Sequence, residues 1–136
     1  MYETFDHTAD LGLRIRAGDL PTLFREAGRA LTNLMVEDLA TIRETQSVEF
    51  TFRRDDLEYL FFDFLSAILY RFEMERLLLS RFDVNLSDTQ LCVVAHGEPL
   101  DRNRHELDHE VKAITYHGLR VEPEGEGWLA EVIVDI

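Results

Sequence analysis

The stretch LEYLFFDFLSAILYRFEMERLLLSRFDVNL, residues 57 to 86, decides the fold, because its hydrophobic periodicity changes partway along. In the first part, Leu57, Leu60, Phe61, Phe64, Leu65, Ile68, Leu69 and Phe72 recur at helical spacing and form one wide arc. Phe62 and Tyr70 lie outside that arc, so the helix is expected to be covered on more than one side. Asp55 followed by Glu58 resembles a capping box with an aspartate cap. From Leu77 onward the helical spacing disappears, and Leu77 to Leu86 reads as a strand.

Upstream, Leu11, Leu13 and Ile15 alternate with Gly12, Arg14 and Arg16, the period of a half-buried strand. Ala17-Gly18-Asp19 turns the chain into a helix that Asp19 can cap and in whose first turn Pro21 is acceptable. Its apolar face is Leu20, Leu23, Phe24, Ala27, Leu31, Leu34 and Met35. Thr41 to Phe52 returns to period two, with Val48, Phe50 and Phe52 on one side. Downstream, Thr89 to His96 reads as a strand joined to the preceding one through the turn-prone Asn85 and Ser87-Asp88. Val111 to Tyr116 and Val132 to Val134 are rich in β-branched residues. EPEGEGW, at 122 to 128, reads as a hairpin loop with Gly125 and Gly127 at its tip. The expectation is an α+β fold: two helices packed on one face of a largely antiparallel β-sheet. Residues 1 to 136 are expected to form a single compact domain, long enough to bury roughly two thirds of its unfolded surface.

Acids outnumber bases, 27 Asp and Glu against 14 Lys and Arg, for a net charge of -13. Phosphate backbones are bound mainly by clustered Lys and Arg, so stable nucleic-acid binding by this chain alone is not expected. A basic protein partner or divalent cations suit its field better. Cys92 is the only cysteine, which forbids an internal disulfide and fits a reducing compartment. Between Leu91 and Val93 it is expected to be a buried packing residue. The start MYETFDHTAD lacks the pattern of a signal peptide. The apolar segment Leu57 to Phe72 falls short of a membrane span, so a cytoplasmic, membrane-free protein is expected.

HELDH, residues 105 to 109, has the His-Glu-x-x-His spacing of zinc proteases. That chemistry needs a helix, so that both histidines face one metal. Upstream lies the polar EPLDRNR, and downstream EVKAITYHGL favours a strand, on which residues 105 and 109 stand roughly 13 Å apart. A small zinc hydrolase using His105, Glu106 and His109 is therefore the alternative, not the leading reading. His96 is expected to be a solvent-facing or hydrogen-bonded structural histidine.

Asp10 precedes the first clear strand, and Asp135 ends the last one, beside Ile136. If the terminal strands pair, Asp10, Asp135 and the Ile136 carboxylate present three hard oxygen donors suited to Ca²⁺, Mg²⁺ or Mn²⁺. The competing reading is that these aspartates are solvated turn residues.

FDHTADLGLRI at the start, LFREAGRALTNLM on the first helix, KAITYHGL in the final third and EVIVDI at the end, in that order, resemble the archease family. The resemblance spans essentially the whole chain. It implies an accessory protein, not an enzyme, with an RtcB-type RNA ligase of tRNA splicing or RNA repair as its partner. Proteins similar to this one speed the GTP- and manganese-dependent guanylylation of that ligase and let it turn over repeatedly. The resemblance places a divalent cation, Ca²⁺ in a crystal and Mg²⁺ or Mn²⁺ in the cell, on Asp10, Asp135 and Ile136. It also favours Lys112, of KAITYH, as a ligase-activating residue over a surface ion pair. His7 and His117 are candidates for orienting the site from behind its ligands. A chaperone-like binding protein is a further alternative, requiring an exposed apolar patch.

Overall fold

The computed structural model describes residues 1–7 and 10–136, with His7 placed in its backbone alone. The elements in chain order are β1 (Tyr2–His7), β2 (Asp10–Ala17), α1 (Leu20–Met35), a 3₁₀ turn (Leu39–Thr41), β3 (Gln46–Arg53), α2 (Leu57–Glu75) and β4 (Leu77–Ser87). There follow β5 (Gln90–Pro99), β6 (Ala113–Ile114), β7 (Arg120–Glu124) and β8 (Gly127–Asp135).

The expected α+β architecture, with two helices and antiparallel pairing, is the one observed. The strands, however, are shared between two sheets where one was expected. Five strands run in the order β1-β2-β8-β6, with β7 also paired to β8, and β3-β5-β4 form a second sheet. The two helices join them: α1 packs on β2 and β4, and α2 packs on β3, β4, β6 and β7. Period-two patterning predicts that a strand has a buried face but not which strand it pairs with.

The helices begin as their sequences dictate. Asp19 accepts from the Thr22 N–H at 2.8 Å, satisfying one free donor of α1. The cap of α2 is Asp56, not Asp55; it is the residue directly before the helix, and it accepts from the Glu58 N–H at 2.8 Å. Phe24 of α1 meets Phe61 and Phe64 of α2 at ring-centroid distances of 5.4 and 5.8 Å, and Phe64 meets Phe82 of β4 at 5.6 Å. All four rings are buried, so this aromatic cluster ties both helices to the smaller sheet. Thr32, fully buried on α1, donates its hydroxyl to the Leu79 carbonyl at 2.6 Å, beside the register shift of β4 between Leu79 and Arg81. The hydroxyl thus serves a backbone acceptor at a point where the ladder is irregular.

Other expectations need adjustment. β1 has no clear alternation in YETFDH and was not anticipated. The predicted strand at Val111 to Tyr116 shrinks to Ala113–Ile114. The hairpin tip is Gly125-Glu126, with Gly125 at φ 59°, whereas Gly127 already pairs with Glu124. A positive φ at the first of two loop residues is what a type II′ turn requires. Cys92 is half-buried, because β5 turns Leu91, Val93 and Ala95 to the core and Cys92 to the other face. Phe62 is covered by Tyr116, but Tyr70 is 59% exposed.

Candidate functional site

The five-stranded sheet brings the two ends of the sequence together. β2 and β8 run antiparallel over eight pairs, from Ala17 opposite Trp128 to Asp10 opposite Asp135. Leu11, Leu13 and Ile15 share one face with Val132 and Val134, the face that packs on the core. The even-numbered residues of β2 and the odd-numbered residues of β8 stand on the other face.

That outer face is organised in rows. In one, Glu3, Arg14, Glu131 and Arg120 alternate in charge across four strands. Arg14 bonds Glu131 at 2.7 Å and Glu3 at 3.1 Å, and Arg120 pairs with the same Glu131. Burial alone would raise the Glu131 pKa, but hydrogen bonds from Arg120 and Arg14 bring it below the ordinary value. In the next row the Phe5 ring lies over Gly12, where a Cβ would come within 2.1 Å of it. The third row is His7 opposite Asp10, Asp10 opposite Asp135, and Asp135 opposite Ala113.

Side chains directly opposed in an antiparallel pair have Cβ atoms roughly 4.5–5.5 Å apart. Asp10 and Asp135 are therefore close enough for both carboxylates to reach one hard cation, and oxygen donors of this kind fit Ca²⁺, Mg²⁺ or Mn²⁺. The Ile136 side chain packs against the core, which keeps its backbone beside Asp135. Lys112 donates its backbone N–H to the Asp135 carbonyl at 2.7 Å. It lies between buried Val111 and half-buried Ala113, but its own side chain is exposed and forms no ion pair among the described residues. This is notable in a chain with 27 acids, in which Lys112 is the only lysine.

The remaining candidates lie as follows. The His7 backbone is in the row, while its side chain, with Thr8 and Ala9 of the HTAD motif, falls outside the described residues. His117 is exposed in the segment between β6 and β7, its backbone N–H donating to Thr115 Oγ1 at 3.3 Å. Among the described residues no three His, Cys, Asp or Glu side chains form a ready-made metal cluster. His96 is hydrogen-bonded to Asp83 at 2.8 Å, as a structural histidine would be.

The zinc-protease spacing does not make a zinc site. Residues 105 to 109 are not helical; Leu107 forms an isolated bridge to Val36. The Asp108 and His109 N–H groups donate to the carbonyls of Met35 and Leu34, both at 2.8 Å. HELDH thus satisfies acceptors that the end of α1 leaves without helical partners. His105 is 2% exposed, and its Nδ1 accepts from the Asp101 N–H at 2.9 Å. Nε2 consequently carries the hydrogen that faces Glu98 Oε2 at 2.9 Å, so both ring nitrogens are occupied by protein groups. His109 is exposed and points to no shared site with it. Sequence reasoning missed Glu98, the buried acid of this cluster. The burial of a glutamate next to Pro99, late in an alternating strand, left no periodic signal.

Among the described residues no helix is long and apolar enough to cross a membrane. Residues 2–136 match the model of the archease protein family (MTH1598/TM1083). The archease of Methanopyrus kandleri is 37% identical over 139 residues, covering 99% of both chains. That of Pyrococcus abyssi is 34% identical over 141 residues, covering 99% of this chain and 98% of its own. The solution structure of Methanobacterium thermoautotrophicum protein 1598 superposes with a TM-score of 0.83 at 32% identity, covering 99% and 98% of the two chains. The Thermotoga maritima crystal structure, of an archease described as a possible chaperone, shares the fold with a TM-score of 0.68 at 22% identity over 100% of this chain and 98% of that one. With a family match along nearly its full length and relatives above 30% identity, the chain belongs to the archease family.

Proposed function

We propose that this chain is a cytoplasmic accessory protein that activates an RtcB-type RNA ligase, promoting its guanylylation and repeated turnover without a catalytic site of its own. Asp10, Asp135 and the Ile136 carboxylate hold a divalent cation, and Lys112 acts beside it on the ligase or its nucleotide. The observation that carries this reading is the register: Asp10 faces Asp135, and Lys112 is tethered to the Asp135 carbonyl.

A bound cation would supply positive charge next to a partner's phosphates. The residues of this chain do the positioning. The sheet fixes the two aspartates as cross-strand neighbours, Ile136 anchors the last residue in the core, and buried Val111 holds Lys112 in place while leaving its ammonium in solvent. An ammonium that has no ion pair among the described residues, on so acidic a surface, is available to an external anion. The net charge of -13 argues that RNA is met through the partner, since this chain alone would repel its backbone. The description of the Thermotoga relative as a possible chaperone agrees at the coarser level of a protein that acts on another protein.

The test combines the cognate ligase at low concentration with excess RNA ends, GTP and Mn²⁺. The native protein is expected to give many turnovers, and Asp135→Asn and Lys112→Ala to lose most of the stimulation while keeping native circular dichroism. Full stimulation by both variants would exclude the assigned residues. No stimulation by the native protein of an active ligase would exclude the function.

A further inference from the structure

An aromatic surface formed by α2 and the segment between β6 and β7 is not used by the cation site. Tyr116, 53% exposed, stacks on Phe62 with ring centroids 3.9 Å apart, and Tyr59, 42% exposed, meets Tyr116 edge-on at 5.7 Å. Tyr59 and Tyr116, together with Arg54, Asp56, Glu58 and Leu119, border a groove of 630 Å³. Phe62 stacks on Tyr116 and Tyr59 meets it at a steep angle, yet Tyr116 remains 53% exposed. Adjacent tyrosines half out of water are the residue type that dominates binding hot spots.

The groove already holds one guanidinium. Arg54 lies 5.0 Å from the centroid of the Tyr59 ring and donates to Asp63 at 2.8 Å, so an aromatic face and a carboxylate together retain an arginine there. Tyr116 and the two remaining carboxylates offer the same combination a second time. Neither Asp56 nor Glu58 has a basic partner among the described residues. Burial, and then a side-chain hydrogen bond with Asp56, push the Glu58 pKa up, as befits two carboxyls drawn together without a counter-charge, a pair that an incoming guanidinium would part and neutralise. The α2 N-terminus contributes only about half a positive charge, less than either carboxylate removes.

We propose that this groove docks an arginine-bearing segment of a partner protein, with a guanidinium laid on the Tyr116 ring and paired to Asp56 or Glu58. Arginine fits better than lysine because its plane stacks on a ring while its fork reaches a carboxylate. A nucleic-acid strand would bring phosphates towards Asp56, Glu58 and Asp63, and a second copy would bring another net charge of -13. The inference concerns the chemistry that the groove accepts and stands whether or not the partner is the ligase.

The test uses the full chain and a nine-residue peptide with two arginines flanked by leucines, alongside the same peptide with citrulline at both positions. The arginine peptide is expected to shift the ring resonances of Tyr59 and Tyr116 saturably. Affinity should fall at least tenfold for citrulline, for Tyr116→Ala and for Glu58→Gln, with circular dichroism unchanged. Tyr59→Ala provides a second variant should loss of the Tyr116–Phe62 stack disturb the fold. Absence of a saturable shift, equal binding of the citrulline peptide, or ring shifts that follow a nucleoside monophosphate or the protein concentration instead would overturn the proposal.

Discussion

Replacing Glu98 with glutamine tests whether a buried charge network, and not a zinc ion, accounts for the chemistry around His105. Glu98 is 5% exposed and accepts from Arg104 Nη2 at 2.6 Å, from the Arg43 N–H at 2.7 Å and from His105 Nε2 at 2.9 Å. Arg104 also donates to the Thr41 carbonyl at 3.0 Å, so the network fastens residues 101–105 to the turn after α1. Burial by itself would raise the Glu98 pKa, but these three donors, Arg104 foremost, lower it from 4.5 to about 2. A shift of that size is worth about 3 kcal/mol, at 1.36 kcal/mol per unit. Glutamine can offer its oxygen to Arg43 and His105 only by turning its NH₂ group towards Arg104, which places donor against donor. Losing that charge-assisted bond costs about 1.5–3 kcal/mol. Breaking a buried pair in full costs about 3–5 kcal/mol, and the partial exposure of Arg104 keeps the expected value near the lower end of that range.

The pH dependence separates this explanation from a loss of packing. A carboxyl whose folded pKa is depressed stabilises the protein above its unfolded value and loses that contribution as pH falls through the folded one. Glu98 therefore supports the fold in full above pH 4.5 and progressively less towards about pH 2. Urea unfolding followed by circular dichroism should show Glu98→Gln about 3 kcal/mol less stable than the native protein at pH 7, with the gap closing between pH 4.5 and pH 2.5. A gap below about 1 kcal/mol at pH 7, or one that stays constant across that range, would refute the reasoning.

Gly12→Ala should destabilise the fold by about 1–2 kcal/mol, because the new Cβ meets the Phe5 ring that also carries the Arg14 guanidinium at 4.5 Å. Adding Phe5→Ala should make the second loss smaller than Phe5→Ala costs alone, a coupling that a double-mutant cycle of thermal unfolding reads directly. Asp135→Asn should leave the cation-free protein equal in stability or about 0.5 kcal/mol more stable, by removing a like-charge cross-strand pair. In the same variant, stabilisation by added Ca²⁺ should fall, with affinity at least about tenfold weaker in a calorimetric titration.

Much of the fold was written in local patterns, and the exceptions have physical causes. α1 declared itself through its apolar arc and its Asp19 cap and α2 through its arc alone, its cap falling on Asp56 instead of Asp55, since a helix contains its own period. Pairing partners are non-local, so neither the division into two sheets nor the irregular β1 was legible. Asp10 opposite Asp135 could be anticipated only as a consequence of terminal strands meeting. The register that makes them direct neighbours is fixed by the core-facing residues of both strands. His105 and Glu98 were opaque for the opposite reason. A buried ionic contact between a loop and a strand end has no period, and its histidine carried a misleading spacing.

The rows on the outer face also suggest why the end of the sheet differs from its middle. Glu3, Arg14, Glu131 and Arg120 show that this face can alternate charge across neighbouring strands, and two of those pairs are bonded within 2.8 Å. Four residues along β2 and β8 from Arg14 and Glu131, the alternation stops and two aspartates stand opposite each other. Directly opposed like charges cost a few tenths of a kcal/mol or more. Packing does not require them, since both lie on the face away from the core. Two aspartates thus stand opposed at the position where the proposed cation would bind, and Lys112, which has no ion pair among the described residues, lies one residue from the ladder partner of Asp135.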